Sequence, residues 1–157
     1  MGYIAMKVEA AIAELGQKMG VTLQLDDNRA CRLVFDGQLS VDIEAPTALP
    51  DHLIMSCGVS PDLFPQAREA VLRSLLHANL FGQDTGGGVL ALDEARGEVV
   101  LQRTLAMAQC DLEDLLGALE LMLQTAQGWV DRLQTERGVP LPGRAAPTDA
   151  LVSMMRI

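Results

Sequence analysis

Aromatic residues make up 3% of this sequence, and its five (Tyr3, Phe35, Phe64, Phe81 and Trp129) are scattered. Without a cluster there is no platform for stacked nucleotide bases. Cations are also scarce: 12 Lys and Arg stand against 21 Asp and Glu, a formal net charge of -9. Nucleic-acid binders draw affinity from cations that displace phosphate counterions, so this balance, with no basic run, argues against DNA and RNA. Anionic membrane surfaces repel it for the same reason. No apolar run approaches the ~20 residues of a membrane-spanning helix. The stretch from Met1 to Glu14 lacks the basic start and continuous apolar run of a signal peptide, so the sequence reads as cytosolic.

Residues that carry chemistry are few. His52 and His77 have no second histidine or cysteine at ligand spacing, so metal binding is not expected and structural roles are. Cys31, Cys57 and Cys110 are odd in number and widely spaced, which excludes a disulfide framework and reads as buried reduced thiols. Gly86-Gly87-Gly88 lacks a following Lys-Ser or Lys-Thr and precedes a strand, where a phosphate loop would open a helix. Carboxylates pair only in turns or at a helix start (Asp26-Asp27, Asp93-Glu94, Glu113-Asp114), positions suited to solvation or capping. No catalytic constellation is visible, no cofactor is implied, and the chain does not read as an enzyme. A Cys–His pair assembled from distant residues near Gly86–Gly88 is the enzyme alternative.

What is present is enough apolar material for one domain: 157 residues, 49% hydrophobic. Ile4, Val8, Ala11, Ile12, Leu15 and Met19 recur at helical spacing, with Gly16 and Gly20 marking the end. Thr22–Leu25 reads as a short strand before the turn Asp26-Asp27-Asn28. Ala30–Phe35 alternates, Asp36-Gly37 reads as a hairpin turn, and Leu39, Val41 and Ile43 alternate with polar residues. His52–Val59 gives another strand. A helix from Ser60-Pro61-Asp62 carries Val71, Leu72, Leu75, Leu76 and Leu80. Val89–Asp93 and Val99–Leu105 form a second hairpin, and Asp111 caps a long Leu-rich helix reaching Leu133. Helix, strands, helix, hairpin, helix is the order of a single α+β domain with an antiparallel sheet. Residues 1–137 form this domain and 138–157, which hold three prolines, form a flexible tail.

Two stretches carry a family resemblance: LLHANLFGQDTGGGVLALDEARGEVVLQRTL followed by DLEDLLGALELMLQTAQGWVDRL, and upstream LQLDDNRACRLVFDGQLSVDIEA. Together, over about Ile4 to Leu133, they resemble the class I type III secretion chaperones of the Tir-chaperone (CesT-like) family. The resemblance implies an α-β-β-β-α-β-β-α fold and a cytoplasmic homodimer. It implies a virulence-associated chaperone that holds the N-terminal region of a secreted effector in extended form, without ATP or cofactor. The middle helix would supply the dimer contact, here Leu72, Leu76 and Leu80. The first helix and sheet would supply the effector groove. Strand alternation places Cys31, Leu33, Phe35, Leu53, Met55 and Cys57 in the core and leaves Val34 and Ile54 for that groove. Leu23, Leu25, Ile4 and Val8 complete the candidates. The alternative function is a dimeric protein-binding adaptor or regulator of the same fold, unrelated to secretion.

Overall fold

Alternation in three successive segments builds the first half of the sheet. In the computed structural model, which describes residues 2–36, 38–60 and 68–136, they become β1 (Ala30–Phe35), β2 (Leu39–Glu44) and β3 (His52–Ser60), an antiparallel meander. The turn before β1 is closed by Asp26, whose Oδ1 accepts from the Asn28 and Ala30 N–H groups, both at 2.9 Å. Asp36 takes a positive φ of 48° in the β1–β2 hairpin, a conformation Asp tolerates better than most residues. The second hairpin joins β4 (Val89–Asp93) to β5 (Glu98–Ala106), and β5 pairs with β3. The sheet order is therefore β1-β2-β3-β5-β4, antiparallel throughout.

Register gives the sheet two unlike faces. Leu33, Val41, Cys57, Leu101 and Leu90 lie side by side across the five strands, and all are buried. One residue along, the row Arg32, Asp42, Ser56, Gln102 and Val89 points the other way. The apolar face is covered by α3 (Leu112–Glu136), against which α1 (Gly2–Met19) packs. Val8, Ile12 and Leu15 from α1 and Leu115, Leu119, Met122, Leu123, Ala126, Trp129 and Leu133 from α3 complete the core. The third helix, α2 (Arg68–Asn79), packs beside β4 through Val71, Leu75 and Ala78. The order is α-β-β-β-α-β-β-α, as expected, and the start expected for α2 lies outside the described residues.

Helix ends follow local chemistry. The Asp114 N–H donates to Asp111 Oδ1 (2.9 Å) and the Asp111 N–H to Asp114 Oδ2 (3.1 Å), a reciprocal cap at the start of α3. At the end of α1, Gly20 adopts a φ of 74° and the Val21 N–H returns to Gly16 O (2.9 Å). This return corrects the expected Thr22–Leu25 strand. The segment runs without a ladder partner because it folds back against α1. Gly16 makes that approach feasible: a Cβ there would sit 2.7 Å from Val21 O and 2.9 Å from Leu23 N.

Two helical glycines therefore respond oppositely to alanine. Gly16→Ala should destabilise by about 1–3 kcal/mol, through overpacking against backbone. Gly117→Ala in α3, where a Cβ meets nothing within 4 Å, should stabilise by about 0.5–1 kcal/mol. Urea midpoints of the two variants check both signs.

Candidate partner-binding surfaces

Among the described residues no helix covers the polar face of the sheet, which leaves β-strand side chains facing solvent. Arg32 donates to both carboxylate oxygens of Asp42, one of them at 2.9 Å. Val34 is 48% exposed opposite Ser40, and Ile54 is half-buried between Glu44 and Thr104. The structure does not bring these two candidates together. They lie two strands apart and four residues apart along the strand, about 16 Å by sheet spacings, with Asp42 of the ion pair between them.

The other expected groove residues are placed differently. Val8 is fully buried under α3 and Leu23 is 8% exposed, so both are core. Helical periodicity identifies an apolar face but not the element that covers it. Leu25 is half-buried beside β1, and the side chain of Ile4 lies outside the described residues.

The two outer strands of the sheet end differently. On β4, Asn79 at the end of α2 acts as a strand surrogate: Leu90 N–H donates to its Oδ1 (2.8 Å) and its Nδ2 donates to Leu90 O (2.9 Å). On β1 the ladder partner faces one way only. The Arg29 carbonyl accepts from Ala45 N–H, whereas Ala30 turns its N–H and C=O to Asp26. Antiparallel alternation then directs the N–H and C=O of Arg32 and Val34 outward, along the sheet edge.

A second surface forms at the end of α2. Leu76 (72% exposed), Leu80 (53%), Phe81 (88%) and Val89 (51%) gather at one corner, with Leu72 half-buried behind them. Phe81 has a φ of 57°, an uncommon conformation for a bulky side chain. Phe81 and Val89 are absent from the sequence-based candidates. Phe81 reads as a helix end beside Gly82, and Val89 as an ordinary strand residue. Neither signal tells which side of the corner meets solvent.

The glycine-rich segment between them is a tethered connector. Trp129 Nε1 donates to Asp84 O (2.8 Å), Arg103 Nη1 donates to Gly86 O (3.1 Å), and Gly86 and Gly87 have positive φ. The adjoining depression is lined by Gln83, Asp84, Thr125, Trp129 and Arg132, with no histidine or cysteine. His77 is exposed on α2, and His52 lies 2.7 Å from Asp51. Among the described residues no group of His, Cys, Asp and Glu could hold a metal ion, and no helix is long and apolar enough to cross a membrane. Burial, with Asp42 and Glu98 adding repulsion, pushes the Cys57 thiol up to about 12; burial and Asp26 push Cys31 up to about 11.

The molecule is an α+β domain with one covered sheet face, one face that no described helix covers and an exposed apolar corner. The chain belongs to the Tir chaperone protein (CesT) family, whose profile matches residues 10–130. Among solved structures it is similar to the ExsC–ExsE complex (24% identity, TM-score 0.69, covering 88% of this chain and 98% of that one). It is also similar to the Yersinia pestis type III secretion chaperone SycH in complex with a fragment of YscM2 (17%, 0.61, 77% and 98%). A third is the ExoU–SpcU heterodimer of the Pseudomonas aeruginosa type III secretion system (18%, 0.59, 78% and 94%). A sequence search against curated proteins finds no match.

The thiols supply a test of the core. Cys57 should resist alkylation in the folded chain at pH 8 and react after unfolding in urea, checked by peptide mass mapping. Its folded pKa lies above the usual 9.0, so unfolded thiols ionise first as pH rises. Stability should therefore fall as pH climbs through about 9 and beyond. A Cys57→Ser variant should show a shallower fall.

Proposed function

We propose that this chain is a type III secretion chaperone that holds the N-terminal region of a secreted effector in extended form and keeps it soluble and ready for export. The observation that carries the reading is a sheet face that no described helix covers, beside a β1 edge without a ladder partner among the described residues, on the fold of a chaperone family. An extended polypeptide gains backbone hydrogen bonds from such an edge, and apolar positions beside it select side chains. Val34 and Leu25 flank the edge from its two faces. Ile54 lies deeper in the sheet and serves as a separate contact. The action requires no catalysis, nucleotide or cofactor, and takes place in the cytoplasm before export.

The chain acts as a homodimer through Leu72, Leu76 and Leu80. Phe81 and Val89 extend the same surface. An isologous contact buries this corner on both copies and places two effector-binding faces on one particle, which strengthens capture of a long segment. Residues 138–157 and the side chain of Ile4 lie outside the described residues and add nothing to this function.

Two experiments test the assignment. A Val34→Asp, Ile54→Asp double variant should remain folded and lose at least about 10-fold in affinity for the effector recovered with the wild type, since apolar anchors dominate such contacts. Unchanged capture by the folded variant would remove the sheet face from the effector site. Separately, Leu76→Glu should convert dimer to monomer in sedimentation without unfolding, because the side chain is exposed. A dimer that survives both Leu76→Glu and Phe81→Glu would place the contact elsewhere.

A further inference from the structure

We infer that the segment added at the β1 edge is cationic, alternating basic with apolar residues; this rests on the protein-binding reading above. Two observations meet at this edge. First, the backbone groups of Arg32 and Val34 point outward, whereas the corresponding groups of Leu90 on β4 are already taken by Asn79. An extended chain therefore finds hydrogen-bonding positions at β1 that the opposite edge lacks at Leu90.

Second, the surroundings of that edge are strongly acidic. Asp26 and Asp27 stand at its start, Asp36 at its end, Asp42 and Glu44 on the neighbouring strand, and Glu9 on α1. Three cations lie nearby, and all are engaged: Arg96, which shares a depression with Asp26, Asp42 and Glu44, lies 3.8 Å from Asp93 and 3.7 Å from Glu98. Arg29 reaches Ala45 O at 2.9 Å and Glu9 at 3.4 Å, and Arg32 is held by Asp42. Eight carboxylates (these six with Asp93 and Glu98) against three guanidinium groups leave a net negative field along the edge, in a chain whose net charge is -9. Alternation completes the pattern. Side chains of an added strand on the apolar side would meet Leu25 and Cys31, which are half-buried and apolar. Those on the opposite face would meet the acidic side.

Fluorescein-labelled ten-residue peptides alternating valine with lysine, with glutamate or with serine test this by fluorescence anisotropy on the full chain. The lysine peptide should bind at least about 10-fold more tightly than the glutamate peptide, with a gap that closes as salt rises. Val34→Pro, which removes an edge N–H, should weaken the lysine peptide. Asp27→Lys with Glu44→Lys should abolish the preference; circular dichroism verifies the fold of each variant. Equal binding of all three peptides, or a preference untouched by the charge reversals, overturns the inference. So does a fall in sedimentation mass on Val34→Pro, which would give the edge to a second copy. Capture of the secreted effector without any cationic preference would sink the charge assignment alone. Failure to capture any secreted protein, with the peptide preference intact, would sink the secretion reading instead.

Discussion

The pairing of β3 with β5 is the interaction on which the rest depends. It joins two pieces that are each local in sequence, the β1–β3 meander and the β4–β5 hairpin, across the whole of α2. The ladder runs from His52 opposite Ala106 to Ser60 opposite Val99, with one irregularity near Gly58. Without it neither piece has an apolar face wide enough to hold a helix, since small isolated sheets are marginal in water. With it, Leu53, Met55, Cys57 and Leu101 form a continuous floor, and α3 lies across β3 and β5. Such a non-local contact carries loop-closure entropy before any gain. The Leu-rich face of α3 supplies the burial that offsets it.

That central pairing also decides what is left for partners. Because β3 and β5 are interior, the outer strands are β1 and β4, and because α3 lies on one side with α1 against it, the other side is left uncovered by the described helices. The Asn79 clamp then ties α2 to β4, so the apolar corner at Leu76, Leu80 and Phe81 stands in fixed relation to the sheet. Trp129 and Arg103 hold the connector between them at two carbonyls. One contact surface is thereby placed at the β4 end of the molecule and the free strand edge at the β1 end. A dimer formed through the first leaves the second accessible, a geometric consequence of strand order and not of any special residue.

Most of this was legible where a physical rule acts on neighbours in sequence. The strands Ala30–Phe35 and Val89–Asp93 and the Asp111 cap of α3 follow from alternation, turn residues and helix-end electrostatics, all local effects. The assignment of Leu33, Phe35, Met55 and Cys57 to the core follows from the same alternation. What was not legible depends on packing between distant elements. Thr22–Leu25 has strand-like composition, but Gly16 lets it close onto α1, and no local pattern reveals that approach. Val8 belongs to an apolar helical face whose cover is α3, a hundred residues away. Alternation turns Val34 and Ile54 to the outer face, but their separation depends on the β1–β2–β3 register.

The distribution of chemistry in the chain follows the same division. Of its thiols, Cys57 is driven into the covered face and Cys31 lies half-buried on the same face, where burial raises both pKa values. Cys110 is half-buried in the segment before α3, short of the full burial expected of it. Its histidines sit apart from them, one beside Asp51 and one exposed on α2. Its carboxylates instead close turns, cap α3 or line the open side, where they remain solvated. A pocket enzyme needs the reverse, with polar groups converging in a site from which water is excluded. Here the polar groups diverge along a surface, and the unpaired backbone lies at a strand edge. On the function proposed here, that arrangement would recognise a chain by its extended backbone and its charge, with few demands on the exact sequence held, which suits a partner that must later be released intact.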